Sequence, residues 1–213
     1  MKVYVISGLG ADFKVLEKLK FNSNLEIVFI DWLIPKSNET FKNYVSRMAE
    51  TISIEEDFYL LGYSFGGILV QEIHKIKPAK KILILGCIKS DEEKSFVMKA
   101  GKMTKITAIL PLKFYGAIPA ESYGFIRRIF DSKNSNIMTY FRVRDPYYLK
   151  WSIQKIIEWK MEKIPEVIQI LGEKDLVFPL KNSHPNYVIK DGTHLFPLTK
   201  NKEVSEILAK EFI

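Results

Sequence analysis

The run Phe58-Tyr59-Leu60-Leu61 passes directly into Gly62-Tyr63-Ser64-Phe65-Gly66-Gly67 and then into Ile68-Leu69-Val70-Gln71-Glu72-Ile73. No other stretch limits the possible folds of this chain as much. The four apolar residues suit a buried strand, and the apolar run after the glycines suits a largely buried helix. A strand that turns into a helix through a single Gly-x-Ser-x-Gly step has no room for side chains at the outer positions. Gly62 and Gly66 are expected there because a side chain on either collides with the neighbouring strand or helix. The same tightness predicts a strained backbone at Ser64 and pushes its hydroxyl out at the carboxyl edge of a sheet. A helix start at that point offers free N–H groups and partial positive charge to an anion.

The rest of the chain repeats this strand-then-helix rhythm. Residues 3–6 are apolar throughout and predict a buried strand that runs into the glycine-rich loop Ser7-Gly8-Leu9-Gly10-Ala11-Asp12. Asp12 can cap a helix over residues 13–19, and residues 25–30 predict a second buried strand. Phe41, Tyr44, Val45, Met48, Ala49 and Ile52 recur at helical spacing and mark the clearest amphipathic helix. Pro78 ends the helix after Ser64, and residues 81–86 predict a fourth strand. Alternation of this kind implies an α/β fold: a parallel sheet with right-handed crossovers and helices on both faces.

The rhythm stops at residue 88. Residues 88–146 show no clear strand, carry Phe114, Tyr115, Tyr123, Phe125, Phe130, Tyr140 and Phe141, and hold more basic than acidic side chains. They are expected to form a helical lid over the carboxyl edge, inserted into a core made of residues 1–87 and 147–213. An amphipathic helix over 147–160 resumes the core. Residues 167–171 and 187–189 predict a fifth and a short sixth strand, and Val204, Ile207, Leu208 and Phe212 mark a closing helix.

Length and composition narrow the class. The chain has 213 residues, enough for one domain with a sizeable core, and is 47% hydrophobic and 27% charged, which excludes disorder. Cys87 is the only cysteine, so an internal disulfide and a cysteine metal cluster are excluded, and a reducing compartment fits. The apolar start is interrupted by Ser7, Gly8 and Gly10 and stopped by Asp12, too short for a secretory signal. No apolar stretch reaches the length of a membrane span, and a cytoplasmic location is expected. The net charge of +7 reads as solvated surface, because no basic run is long or aromatic-interleaved enough for nucleic acid.

A serine hydroxyl is a poor nucleophile unless a base takes its proton and a third group orients that base. The chain offers three histidines as the base. His74 lies almost three turns along the helix after Ser64 and cannot fold back to it. His184 precedes the last short strand and belongs near that strand's amino edge. His194, in Asp191-Gly192-Thr193-His194-Leu195, follows that strand and converges with Ser64 at the carboxyl edge. The acid comes from Gly172-Glu173-Lys174-Asp175-Leu176-Val177-Phe178-Pro179, after the fifth strand. Asp175 is the choice and Glu173 the rival, since one turn of the loop swaps their directions. Acyl transfer also needs donors for an oxyanion. The Phe65 N–H is one candidate and the Leu9 N–H, with Gly8 and Gly10 leaving room, is the other. Tyr63 and Phe65 flank the nucleophile, and Tyr63 is a candidate substrate contact.

Together these stretches resemble the α/β-hydrolase family, over nearly the whole chain, and within it the small lidded carboxylesterases. The resemblance implies ester hydrolysis through an acyl-enzyme, with a Ser64–His194–Asp175 triad, a small-molecule ester as substrate, and neither metal nor organic cofactor. A thioesterase acting on acyl-carrier substrates is the second reading, since a basic lid suits an acidic carrier. A ligand-binding protein on the same scaffold is the third. Departures from the family pattern are visible. Ser7 stands where the family has a histidine before the oxyanion glycine. The chain starts at the family's third strand. Only about twenty residues separate Asp175 from His194, so the usual intervening helix is short or missing.

Overall fold

Side chains alternate across each central strand and so feed two apolar layers, one on each face of a single sheet. Tyr4, Ile6, Phe58, Leu60, Ile82 and Ile84 join one layer, while Val3, Val5, Tyr59, Leu61, Leu83 and Leu85 join the other. The structure, a computed structural model, describes residues 1–104, 111–112, 115, 137–161 and 164–213. Its strands are β1 (Lys2–Ile6), β2 (Glu26–Phe29), β3 (Phe58–Tyr63), β4 (Lys81–Leu85), β5 (Val167–Gly172) and β6 (Tyr187–Ile189). They pair in the order β2-β1-β3-β4-β5-β6, and every pairing is parallel. All strand ends therefore bring their loops to one edge. The chain leaves β1 towards β2 and returns to β3 on the other side of β1. The crevice of such a sheet opens where the order reverses, between β1 and β3.

The described helices are α1 (Phe41–Met48), α2 (Phe65–Ile76), α3 (Phe96–Thr104), α4 (Pro146–Glu158), α5 (Phe196–Thr199) and α6 (Asn201–Glu211). Buried residues of α1, α2 and α4 pack on one face, and those of α5 and α6 on the other. The N-cap of α1 is Thr40, whose hydroxyl accepts from the Asn43 N–H, and that of α4 is Asp145, whose carboxylate accepts from the Tyr148 N–H.

Two local expectations change. The helix over 13–19 is only a 3₁₀ turn at Phe13–Val15, although Asp12 caps it as expected. Seven residues nucleate a helix poorly, and here the chain ties the Lys20 N–H to Ser205 of α6 instead. The second strand is not buried on both faces: β2 is an edge strand, with Glu26 and Phe29 exposed. An apolar run shows that a strand exists but not how many neighbours it has. Of the expected lid, α3 and residues 137–145 are described, while 105–110, 113–114 and 116–136 lie outside the described residues.

Lys94 ties α4 to the loop after β4. It is buried, and its ammonium donates to the carbonyls of Ile157, 2.7 Å away, and Trp159. Burial lowers its pKa to about 8 from 10.5. The folded chain therefore releases this proton before the unfolded chain does, and stability contributed here rises as pH climbs through that interval. Melting temperatures from about pH 7.5 to pH 10 are expected to rise in wild type relative to Lys94→Met. Parallel pH profiles for the two proteins would contradict this.

Candidate active site

The turn from β3 to α2 is as crowded as its glycines imply. A Cβ on Gly62 would lie 2.4 Å from the Gly66 carbonyl oxygen, and one on Gly66 would lie 2.2 Å from the Ile6 and 2.4 Å from the Ser7 carbonyl oxygen. Those are backbone atoms and have little freedom to yield. Gly66→Ala is expected to lower the melting temperature by roughly 6–12 °C through overpacking. An unchanged melt by circular dichroism would show that the turn can open. Between these glycines Ser64 adopts φ 53° and ψ −119°, a conformation side chains rarely take, and its N–H donates to the Leu85 carbonyl at 2.9 Å.

Short ties bring the other two groups to the same place. The Lys174 N–H donates to the Gly192 carbonyl at 2.8 Å and the Glu173 N–H to that of Ile189 at 3.0 Å. The loops after β5 and β6 are thereby stitched together. Only a 3₁₀ turn, Leu180–Asn182, lies between the two strands. His194 Nδ1 is 2.7 Å from Asp175 Oδ2, and His194 Nε2 is 3.0 Å from Ser64 Oγ. All three residues are buried. Asp175 Oδ1 also accepts from the Val177 and Phe178 N–H groups, at 2.8 and 3.0 Å. With the ring proton on Nδ1, the imidazole donates to Asp175 and leaves Nε2 free to accept from the serine hydroxyl.

The alternatives fall elsewhere. Glu173 is exposed and accepts from the Asp191 N–H at 2.9 Å. His184 is exposed, and its backbone carbonyl accepts from the Lys89 ammonium. His74 Nδ1 accepts from the Ala79 N–H at 3.0 Å, just beyond the end of α2, and burial lowers its pKa.

Leu9 and Phe65 sit on the loop after β1 and on the first residue of α2, on either side of the crevice. Among the described residues neither N–H is paired with a backbone carbonyl. Ser7 braces the Leu9 loop: its hydroxyl donates to the Ala11 carbonyl and accepts from the Trp32 indole N–H at 3.2 Å. The Trp32 ring stacks on Phe65 at 5.2 Å, which joins the two candidate donors through one aromatic plane. An apolar cavity of about 30 Å³ touches Ser64, Leu9 and Tyr63 and is closed by Ala11, Val15 and Leu195.

Tyr63 does more than line that cavity. Its hydroxyl donates to the His194 carbonyl at 2.9 Å, its ring lies 5.4 Å from the imidazole, and burial raises its pKa. Phe178 is another ring neighbour of His194, with its centroid 5.8 Å from the imidazole. Neither role was visible in the sequence, because both depend on which way the loop after β6 turns. Among the described residues no group of three or more His, Cys, Asp or Glu is placed to hold a metal, and no helix is long and apolar enough to cross a membrane.

A parallel six-stranded sheet of this order, with a strained serine between β3 and α2 and a histidine loop after the last strand, is the α/β-hydrolase fold. Solved structures agree over almost the entire chain. The thermophilic esterase from Thermogutta terrifontis is 11% identical, with 98% of this chain and 88% of that one covered at a TM-score of 0.64. The RedJ thioesterase of the prodiginine pathway in Streptomyces coelicolor is 13% identical, covering 99% and 90% at 0.65. The meta-cleavage product hydrolase from Pseudomonas fluorescens IP01 is 14% identical, covering 100% and 90% at 0.64. At these identities the likeness is one of fold. No protein-family model and no curated protein sequence matches the chain.

Proposed function

We propose that this protein is a serine hydrolase that cleaves carboxylic esters through an acyl-enzyme. The observation that carries the proposal is the buried relay from Ser64 Oγ through His194 to Asp175, at 3.0 and 2.7 Å. In the first half-reaction Ser64 Oγ attacks the ester carbonyl carbon while its proton passes to His194 Nε2. The carbonyl oxygen becomes an oxyanion and takes hydrogen bonds from the Leu9 and Phe65 N–H groups. Collapse breaks the bond to the alcohol oxygen, which leaves with the proton from Nε2. In the second half-reaction water gives a proton to Nε2 and attacks the acyl carbon, and Ser64 leaves with that proton as the acid is released.

Asp175 holds the ring in the required tautomer and faces the positive charge that the imidazole acquires. The strain at Ser64 and the hydrogen bonds on both Asp175 oxygens fix these groups before substrate arrives, so little reorganisation remains for the reaction itself. Of residues 88–146, Tyr140 and Phe141 line the cavity beside Ser64 and close this edge over it. The test is covalent: a fluorophosphonate probe is expected to label wild type at one site, and 4-nitrophenyl acetate to give a burst of nitrophenol equal to the enzyme present. Protein that is neither labelled nor active on nitrophenyl esters of any acyl length overturns the proposal. The esterase and hydrolase titles among the structural neighbours favour this reading over a non-catalytic binder.

A further inference from the structure

The Leu9 loop is fastened to a distant part of the chain. The Gly10 N–H donates to the phenol oxygen of Tyr148 at 2.9 Å, across 138 residues of sequence. The Gly10 carbonyl accepts from the Arg142 and Val143 N–H groups at 2.8 and 2.9 Å, and the Asp12 N–H donates to the Tyr140 carbonyl at 2.6 Å. Ala11 and Phe141 add an isolated antiparallel bridge. Gly10 has φ +59°, and a Cβ there would lie 2.4 Å from the Val143 carbonyl oxygen, so the two segments meet backbone to backbone.

Tyr148 is fully buried on the first turn of α4. Its ring meets the Trp32 indole edge-on at 5.8 Å, and the same indole donates to the Ser7 hydroxyl and stacks on Phe65. We propose that Tyr148 is a positioning residue for the oxyanion donor on Leu9. This rests on the ester-hydrolase reading above. A peptide unit is planar, so holding the Gly10 N–H also holds the Leu9 carbonyl. Only the two torsions of Leu9 then separate that fixed plane from the Leu9 N–H. The phenol thus aims a donor it never touches, and the last residues of the 88–146 insertion complete the clasp.

Tyr148→Phe tests this, since it keeps the ring and removes the hydroxyl that accepts from the Gly10 N–H. The turnover number on 4-nitrophenyl acetate is expected to fall about ten- to a hundredfold with KM unchanged, somewhat less than the loss of a whole donor. Affinity for phenylboronic acid, which presents a tetrahedral oxyanion to the same donors, falls by the same factor. Asp145→Ala, which loosens the first turn of α4 without touching the buried ring, gives a loss of a few-fold in both quantities. A drop in melting temperature with turnover and boronic acid affinity unchanged in both variants overturns the proposal and leaves the clasp a purely structural tie. Failure of the underlying reading shows differently, as wild type that neither turns over the ester nor binds the boronic acid, and it takes the proposal with it.

Discussion

Ser64→Ala is expected to abolish fluorophosphonate labelling and to cut turnover of 4-nitrophenyl acetate by about 10⁵- to 10⁶-fold, the scale seen when a triad nucleophile is lost. The side chain contributes only its Oγ to the site, and that oxygen sits 3.0 Å from His194 Nε2. In the proposed mechanism its removal takes away the bond-forming atom and leaves the proposed Leu9 and Phe65 donors, so a residual rate above water is expected to persist. The fold survives. The Ser64 N–H still donates to Leu85, and alanine pays no more than serine for φ 53°. Labelling that persists in this variant would remove Ser64 from the mechanism, and a collapsed melting curve would contradict the structural half of the prediction.

Asp175→Asn is expected to cost about 10⁴-fold in turnover with little loss of stability. The carboxylate accepts on both sides: Oδ2 from His194, Oδ1 from the Val177 and Phe178 N–H groups. An amide has only one acceptor oxygen. Two backbone donors claim it, so its NH₂ turns towards His194 Nδ1. The imidazole must then accept at Nδ1 and carry its proton on Nε2, pointing at Ser64. A protonated Nε2 cannot take the serine proton, and raising the pH does not change the tautomer. Glu173→Gln, on the exposed neighbour, serves as the control and is expected to stay within twofold of wild type. If the two variants had similar activity, the assignment of the acid would fail.

The parts of this architecture that were legible from residue order are those fixed by local sterics and by the parallel sheet. Gly62 and Gly66 announce the turn because backbone atoms crowd them. His194 could be separated from His74 and His184 because a parallel sheet sends the end of every strand to one side. The rivalry between Asp175 and Glu173 was not resolvable in that way. It turns on the Lys174–Gly192 and Glu173–Ile189 backbone bonds, which link loops with no local signal for each other. Tyr148 was harder still: nothing in the sequence singles it out within the helix over 147–160, and its hydroxyl finds Gly10 only once α4 has docked. The exposed edge at β2 was misjudged because apolar content reports burial in general and not the number of neighbours, and the 3₁₀ turn at Phe13–Val15 because an Asp12 cap alone does not make so short a stretch helical.

The sheet ends at both margins in its shortest strands, four residues in β2 and three in β6. Parallel sheets assemble from contacts far apart in the chain and leave half-built intermediates exposed for longer than local structures do. A ladder that stops after so few rungs gives a strand from another molecule little to grip. Glu26 on one border places a charge where such an intruder would have to lie. Brevity at the borders thus guards against edge-to-edge pairing, and lengthening either border with β-branched residues is the change expected to favour fibrils.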